Sequence, residues 1–234
     1  MTAFLIDAAL VGTVVFCGWR GYKNGLIRGV FGVVSLIASL LFANIAAQAY
    51  SNDVKGMLVP FIGGRIDSTL MDMTEDGIEY QALAHDHDID DVDFGTAYVA
   101  LRQLGLPESA AVSVAERSLE LEEGESFRTL SDVVADRLSS TLSYVAVFGI
   151  AFLLIAIVFA VIGNLVGFVF SLPGLKLVDI ITGSVFGLCK GIIIVFAVAV
   201  IIRYFGMFIL PILESTTLLN YLVNHNPIAN LLGI

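Results

Sequence analysis

The chain has 234 residues, 57% of them hydrophobic and 15% charged, with a formal net charge of −10 and a mean hydropathy of +0.89. Ordinary soluble domains are about 45–50% apolar and about 25% charged, so a soluble chain this apolar would lack polar surface to cover its core. Composition therefore indicates a membrane protein, and with no basic face it excludes nucleic acid as a partner.

The apolar residues fall into blocks. Residues 3–19 and 26–49 flank a short basic turn, RGYKNGLIR, and residues 141–172 and 177–213 flank SLPGLK. A helix needs about 20 apolar residues to cross a bilayer core of about 30 Å, and a helix satisfies its own backbone hydrogen bonds, as lipid requires. The expected fold is an all-α integral membrane protein. Its four transmembrane helices, 3–20, 25–48, 142–170 and 178–204, form two helical hairpins. The first segment has no basic n-region, carries Asp7 early and reaches Arg20 without an A-x-A pattern, so it reads as a retained helix instead of a signal peptide.

Charge divides the chain further. Residues 51–140 hold 19 of the 22 acidic residues but only 6 of the 12 basic ones. The expected organisation is a first transmembrane hairpin at 1–50 and an acidic extramembrane insert at 51–140. A second hairpin follows at 141–205, then a C-terminal interfacial segment at 206–234. Arg20, Lys23 and Arg28 cluster at the first turn and Lys176 lies at the second. By the positive-inside rule both turns are cytoplasmic, leaving the insert and both termini extracytoplasmic.

The insert reads as mainly helical. Pro107 and Glu108 suit the start of a helix ending near Gly124, and 127–145 carries an i, i+3/i+4 apolar stripe that runs into the third membrane helix. The run HDHDIDDVD (85–93) holds His85, His87 and Asp88, weak metal candidates whose spacing fits no defined site. In DMTEDG, Asp72, Thr74, Asp76 and Gly77 match the start of a calcium loop, but position 12 is Leu83 where a bidentate Glu is required. Consecutive acids more often mark a hydrated surface, so no metal and no cofactor is expected. No nucleophile elbow and no phosphate loop is present, and an enzyme is not expected. Cys17 and Cys189 fall within membrane helices, where small apolar packing residues are the expected role.

Glycines recur at helical spacing: Gly21, Gly25 and Gly29 across the first turn, Gly163 and Gly167 on helix three, and Gly183, Gly187 and Gly191 on helix four. Membrane helices associate by close packing, which small residues in register permit. Charges within the apolar blocks are costlier, about 2.5–3.5 kcal/mol for Lys or Asp at a helix centre. Asp179, near the cytoplasmic end, reads as a helix cap or an interfacial ion pair with Arg20, Arg28 or Lys176, or as a functional group. Lys190 lies deeper on the same helix. With Asp7, Asn44 and Asn164 these residues suggest a polar lining or an interhelical hydrogen-bond network.

These residues also carry a family resemblance. LIDAALVGTVVFCGWRGYKNGLIRGVFGVVSLIASLLFA (5–43) resembles the amino-terminal signature of the CvpA, or colicin V production, membrane proteins. DIITGSVFGLCKGIIIV (179–195) resembles the second signature of that family, and LESTTLLNYL (213–222) resembles its tail. The correspondence falls on Asp7, Gly21, Gly25, Asp179, Gly183, Gly187, Lys190 and Gly191. The arginine usual after the second aspartate is Ile180 here, and the large insert resembles longer versions of the family from Gram-positive bacteria. The resemblance implies an inner-membrane protein, multi-pass, acting as an accessory or structural component in colicin V production, export or envelope homeostasis. Its implied partners are the lipid bilayer, further copies of itself in a homo-oligomer, and secretion or envelope proteins. The alternative is an oligomeric channel or transporter with a polar path at the glycine-rich helices.

Overall fold

In a computed structural model the described residues are 2–75, 94–119, 130–169, 176–205 and 216–233, and every regular element among them is a helix. Seven helices follow in order: α1 Thr2–Glu75, α2 Phe94–Gln103, α3 Glu108–Leu119, α4 Leu130–Val169, α5 Lys176–Phe205, α6 Leu218–Asn224 and α7 Pro227–Leu232.

The first two apolar blocks form one helical run, broken only at Gly25, whose φ of 75° and ψ of −179° are not helical. Positive φ is costly for any residue with a Cβ, so a glycine carries the bend. Residues on either side of Gly25 lie against Gly183 of α5: Gly21 on one arm and Gly29 on the other. Moving away from Gly25 in either direction, the contacts advance along α5 the same way. Gly18 meets Leu188 and Val14 meets Gly191 on the first arm, while Gly32 meets Lys190 on the second. The second arm also follows α4 in the opposite sense. Phe31 lies at Gly163, Asn44 binds Tyr144, and Lys55 pairs with Asp136 at 2.8 Å.

This second arm does not stop near residue 48. It runs on through Pro60 to Glu75, although proline removes one helical hydrogen bond and crowds the preceding turn. Helix α4 likewise begins at Leu130 and continues without interruption to Val169. Both ends of the acidic segment are therefore extensions of apolar helices, as the stripe at 127–145 indicates for the latter. The start of the calcium-like loop, 72–75, is helical, while His85, His87 and Asp88 lie outside the described residues.

Between these extensions α2 and α3 form a small helical cap. Helix α2 ends at a turn in which Gly105 has φ 91° and Leu106 N–H donates to the Leu101 carbonyl at 3.1 Å. Pro107 follows, and its carbonyl accepts from Ala110 and Ala111 N–H, which starts α3 at Glu108. Leu101, Leu106, Val114, Leu138 and Tyr204 are fully or almost fully buried where the cap meets α4 and α5.

The long helices show the reverse polarity of a soluble bundle. Val30, Val34, Ile37, Leu41 and Ile45 make an exposed stripe on α1, and Ile150, Leu154, Ile157 and Val161 make another on α4. The opposite side of α1 buries Ser35, Ser39, Ala43 and Ala47. Large apolar residues outside and small ones inside suit a lipid solvent, where close helix packing replaces the hydrophobic drive. Among the described residues, three helices contain stretches long and apolar enough to cross a membrane: Phe4–Gly64, Asp132–Asn164 and Asp179–Phe205.

Candidate functional site

Glycines form the seam between α1 and α5. A Cβ at Gly187 would press on the Cys17 carbonyl and lie 3.0 Å from the Gly21 Cα and 3.1 Å from the Gly18 Cα. One at Gly183 would lie 2.6 Å from the Gly21 carbonyl oxygen, and one at Gly191 would lie 2.8 Å from the Val14 Cα. On α4, Gly163 faces the Phe31 ring, where a Cβ would come within 2.9 Å. Gly167 lies within α4, with surroundings outside the described side chains. Gly18 and Gly32 extend the seam at both ends. The i, i+3/i+4 register from 18 through 21, 25 and 29 to 32 was the signal for them.

The two aspartates of the apolar helices, Asp7 and Asp179, both bind backbone N–H groups at helix starts elsewhere in the chain. The Asp179 carboxylate accepts from Leu26 N–H at 2.6 Å and packs against Gly25. It therefore anchors the first turn of the second α1 arm, where free N–H groups and the helix dipole favour an anion. Among the described side chains the carboxylate is held by this backbone donor and makes no ion pair with Arg20 or Arg28; the Lys176 side chain lies outside the described residues. Asp7 accepts from the N–H groups of Thr217, Leu218 and Leu219 at 3.1–3.2 Å. Thr217, the N-cap of α6, makes no side-chain cap of its own, so Asp7 takes over that function from the other end of the sequence.

Asn44 accepts from the Tyr144 hydroxyl at 2.6 Å and from Gln48 at 2.9 Å, a small interhelical network. Sequence reasoning missed the polar pins of the cap. Arg203, 4% exposed, donates to the Ser109 carbonyl at 2.7 Å and to Ser113 Oγ at 3.0 Å, joining α5 to α3. Arg117 reaches Thr141 and the Gly233 carbonyl. Asn226 caps α7 through Ile228 N–H and donates to the Phe196 carbonyl of α5. Cys17 and Cys189 are free thiols on helices.

Beside the seam, at the Gly25 end of the bundle, a cleft of about 120 Å³ opens between α1, α4 and α5. Its polar lining is Arg20, Asn24, Arg28, Ser35, Asn164 and Lys190, with Phe31 and Phe159 among its apolar walls. The Ser35 hydroxyl is already used, donating to the Gly32 carbonyl. Lys190 and Asn164, on separate helices, thus come together, while Asp179, Asp7 and Asn44 lie elsewhere. No group of acidic, histidine or cysteine side chains among the described residues is arranged to hold a metal ion.

Long helices with apolar outward faces and a small-residue interior define an all-helical membrane protein. Residues 124–227, a little under half of the chain, match the family model described as Colicin V production protein, the family that the sequence resembles. The match takes in α4, α5 and α6, and with them Asp179, Gly183, Gly187, Lys190 and Gly191; the amino-terminal stretch 5–43 lies outside it. Neither the curated proteins nor the solved structures include a match to the chain.

Proposed function

We propose that the chain is an accessory or structural component of the bacterial cytoplasmic membrane that supports colicin V production or export, or envelope homeostasis. The glycine seam carries this reading. The faces that a polar path along the glycine-rich helices would use are filled within one chain by backbone contacts of α1 on Gly183, Gly187 and Gly191. Asp179, one of the charges expected to contribute to a polar lining, is held by Leu26 N–H. A bundle closed in this way supports partners and lipid at its outer apolar faces.

The test is a deletion strain complemented by the intact gene, scored for release of colicin V and for sensitivity to envelope stress, alongside ion flux through liposomes carrying the purified protein. The deletion lowers release or raises sensitivity, and the liposomes conduct no better than protein-free ones. Flux above that background overturns the accessory reading in favour of the oligomeric channel. Oligomer size in nanodiscs completes the test, since the expected homo-oligomer would join outer apolar faces, the glycine face being covered.

For topology we propose four crossings in two hairpins, with cytoplasmic basic turns and an extracytoplasmic insert and termini. A straight helix over Phe4–Gly64 would be about 90 Å long at 1.5 Å per residue, three times a bilayer core; the break at Gly25 supports two crossings. Lys23 Nζ lies 4.0 Å from the centre of the Trp19 ring beside exposed Tyr22, the aromatic and basic mixture of a membrane interface. Glu116→Cys, in a chain with Cys17→Ala and Cys189→Ala, should react with a membrane-impermeant maleimide in cells with a permeable envelope and intact cytoplasmic membrane. Reaction only after lysis reverses the orientation.

A further inference from the structure

We propose that the cleft between α1, α4 and α5 is a binding site for a phosphate-type oxyanion, supplied by an anionic lipid headgroup or by free phosphate. This goes beyond the accessory role and does not depend on it, although the lipid source rests on the proposed topology with its cytoplasmic basic turns.

Three cations from two helices converge there, Arg20 and Arg28 on either side of the Gly25 bend and Lys190 on α5. None of the three has a carboxylate partner among the described residues, and no carboxylate lines the cleft. The nearby acid, Asp179, binds Leu26 N–H. Lys190 is half-buried and its ammonium lies toward Gly32. It sits about 16 Å along α5 from Asp179 at 1.5 Å per residue, deep enough that its charge is costly unless compensated.

Like charges gathered in partly desolvated space repel, and an anion between them converts that repulsion into attraction. The donor set suits a tetrahedral oxyanion. Two guanidinium groups bind phosphate oxygens in bidentate fashion and the ammonium adds a point charge. Asn24 and Asn164 contribute amide N–H donors at the rim. A lone chloride would leave most of those directed donors unused. Arg20 is exposed while Arg28 and Lys190 are half-buried, so the cleft opens at the basic end of the bundle, where headgroups lie. Basic pockets between membrane helices on the cytoplasmic side are characteristic sites for anionic headgroups. Phe31 and Phe159 give the acyl side of a lipid an apolar wall.

The test uses the full chain in a zwitterionic detergent. Thermal stability is measured with added phosphatidylglycerol, with phosphatidylcholine and with inorganic phosphate, and co-purified lipid is counted by mass spectrometry. Phosphatidylglycerol should raise the unfolding temperature and phosphatidylcholine should not. Arg28→Gln and Lys190→Met should each reduce retained anionic lipid about fivefold, the effect of removing one basic group near a charged surface. Lys23→Gln, which removes a cation stacked on Trp19 outside the cleft, should leave retention unchanged. Lys190→Arg, keeping the charge, should restore retention and serves if Lys190→Met fails to fold. Stabilisation by inorganic phosphate alone, lost in the same cleft variants, also confirms the oxyanion site and assigns it to free phosphate. Equal losses in Lys23→Gln and the cleft variants, or no response to either anion, overturns the proposal.

Discussion

The glycine seam yields the sharpest perturbation, Gly187→Leu against Ile193→Leu. Replacing Gly187 removes the helix-propensity deficit of glycine, a gain of about 1 kcal/mol. Against it, the new Cβ would press on the Cys17 carbonyl and lie 3.0 and 3.1 Å from the backbones of Gly21 and Gly18, where ordinary contact begins at 3.4 Å. These neighbours are backbone, so they cannot rotate away as a side chain tip would. The first α1 arm must retreat from α5 by several tenths of an ångström for the Cβ alone, and further for the rest of the leucine. A radial gap of 0.5–1 Å forfeits a quarter to a half of each dispersion contact, and the gap spreads along the seam to Gly183 and Gly191. With overpacking strain of about 1–3 kcal/mol, the net loss is about 2–4 kcal/mol. At about 2–4 °C per kcal/mol for a chain of this size, the unfolding temperature in detergent falls by about 5–15 °C. Ile193→Leu conserves volume at a half-buried site and should cost less than about 1.5 kcal/mol. Heating aliquots and measuring the monodisperse fraction by size-exclusion chromatography reads both variants. Equal midpoints for the two would refute the packing argument.

Asp179→Ala leaves the Leu26 N–H without its partner and should cost about 1–3 kcal/mol, whereas Asp179→Asn retains an acceptor and should cost less; detergent melting ranks the two, and equal loss from both would show that charge, not the hydrogen bond, is what matters. Asp7→Ala removes the cap of α6 and should raise deuterium uptake of residues 217–219 selectively, with a stability loss of about 1–2 kcal/mol. Arg203→Met keeps an apolar stem but loses the bonds to Ser109 and Ser113, worth about 1.5–3 kcal/mol as hydrogen bonds to a charged group. Faster exchange of α3 amides, with α4 unchanged, is the expected signature.

Much of this protein was legible in its sequence. Block length and hydropathy fixed long apolar helices because lipid leaves the backbone no alternative; both ends of α5 and the end of α4 were readable to within a turn, whereas α4 starts twelve residues before the expected 142. Glycine spacing marked the faces that approach closely, since only the missing Cβ allows backbone to touch backbone. Periodicity also showed that 127–145 feeds into α4. What the sequence could not reveal is which distant groups meet. Asp179 reads locally as a cap of its own helix, yet it binds Leu26 because the Gly25 bend brings that N–H beside it. Asp7 caps a helix more than two hundred residues away, and Arg203 holds down α3. Composition likewise ended the first hairpin near residue 50, where the apolar run fades. The helix continues to Glu75, with Lys55–Asp136 and the buried Ile62 available to hold it. The gathering of Arg20, Arg28 and Lys190 around one cleft has the same origin. Their spacing of 8 and 162 residues carries no periodic signal, and only the bend at Gly25 and the packing of α5 against both arms of α1 bring their charges to one place.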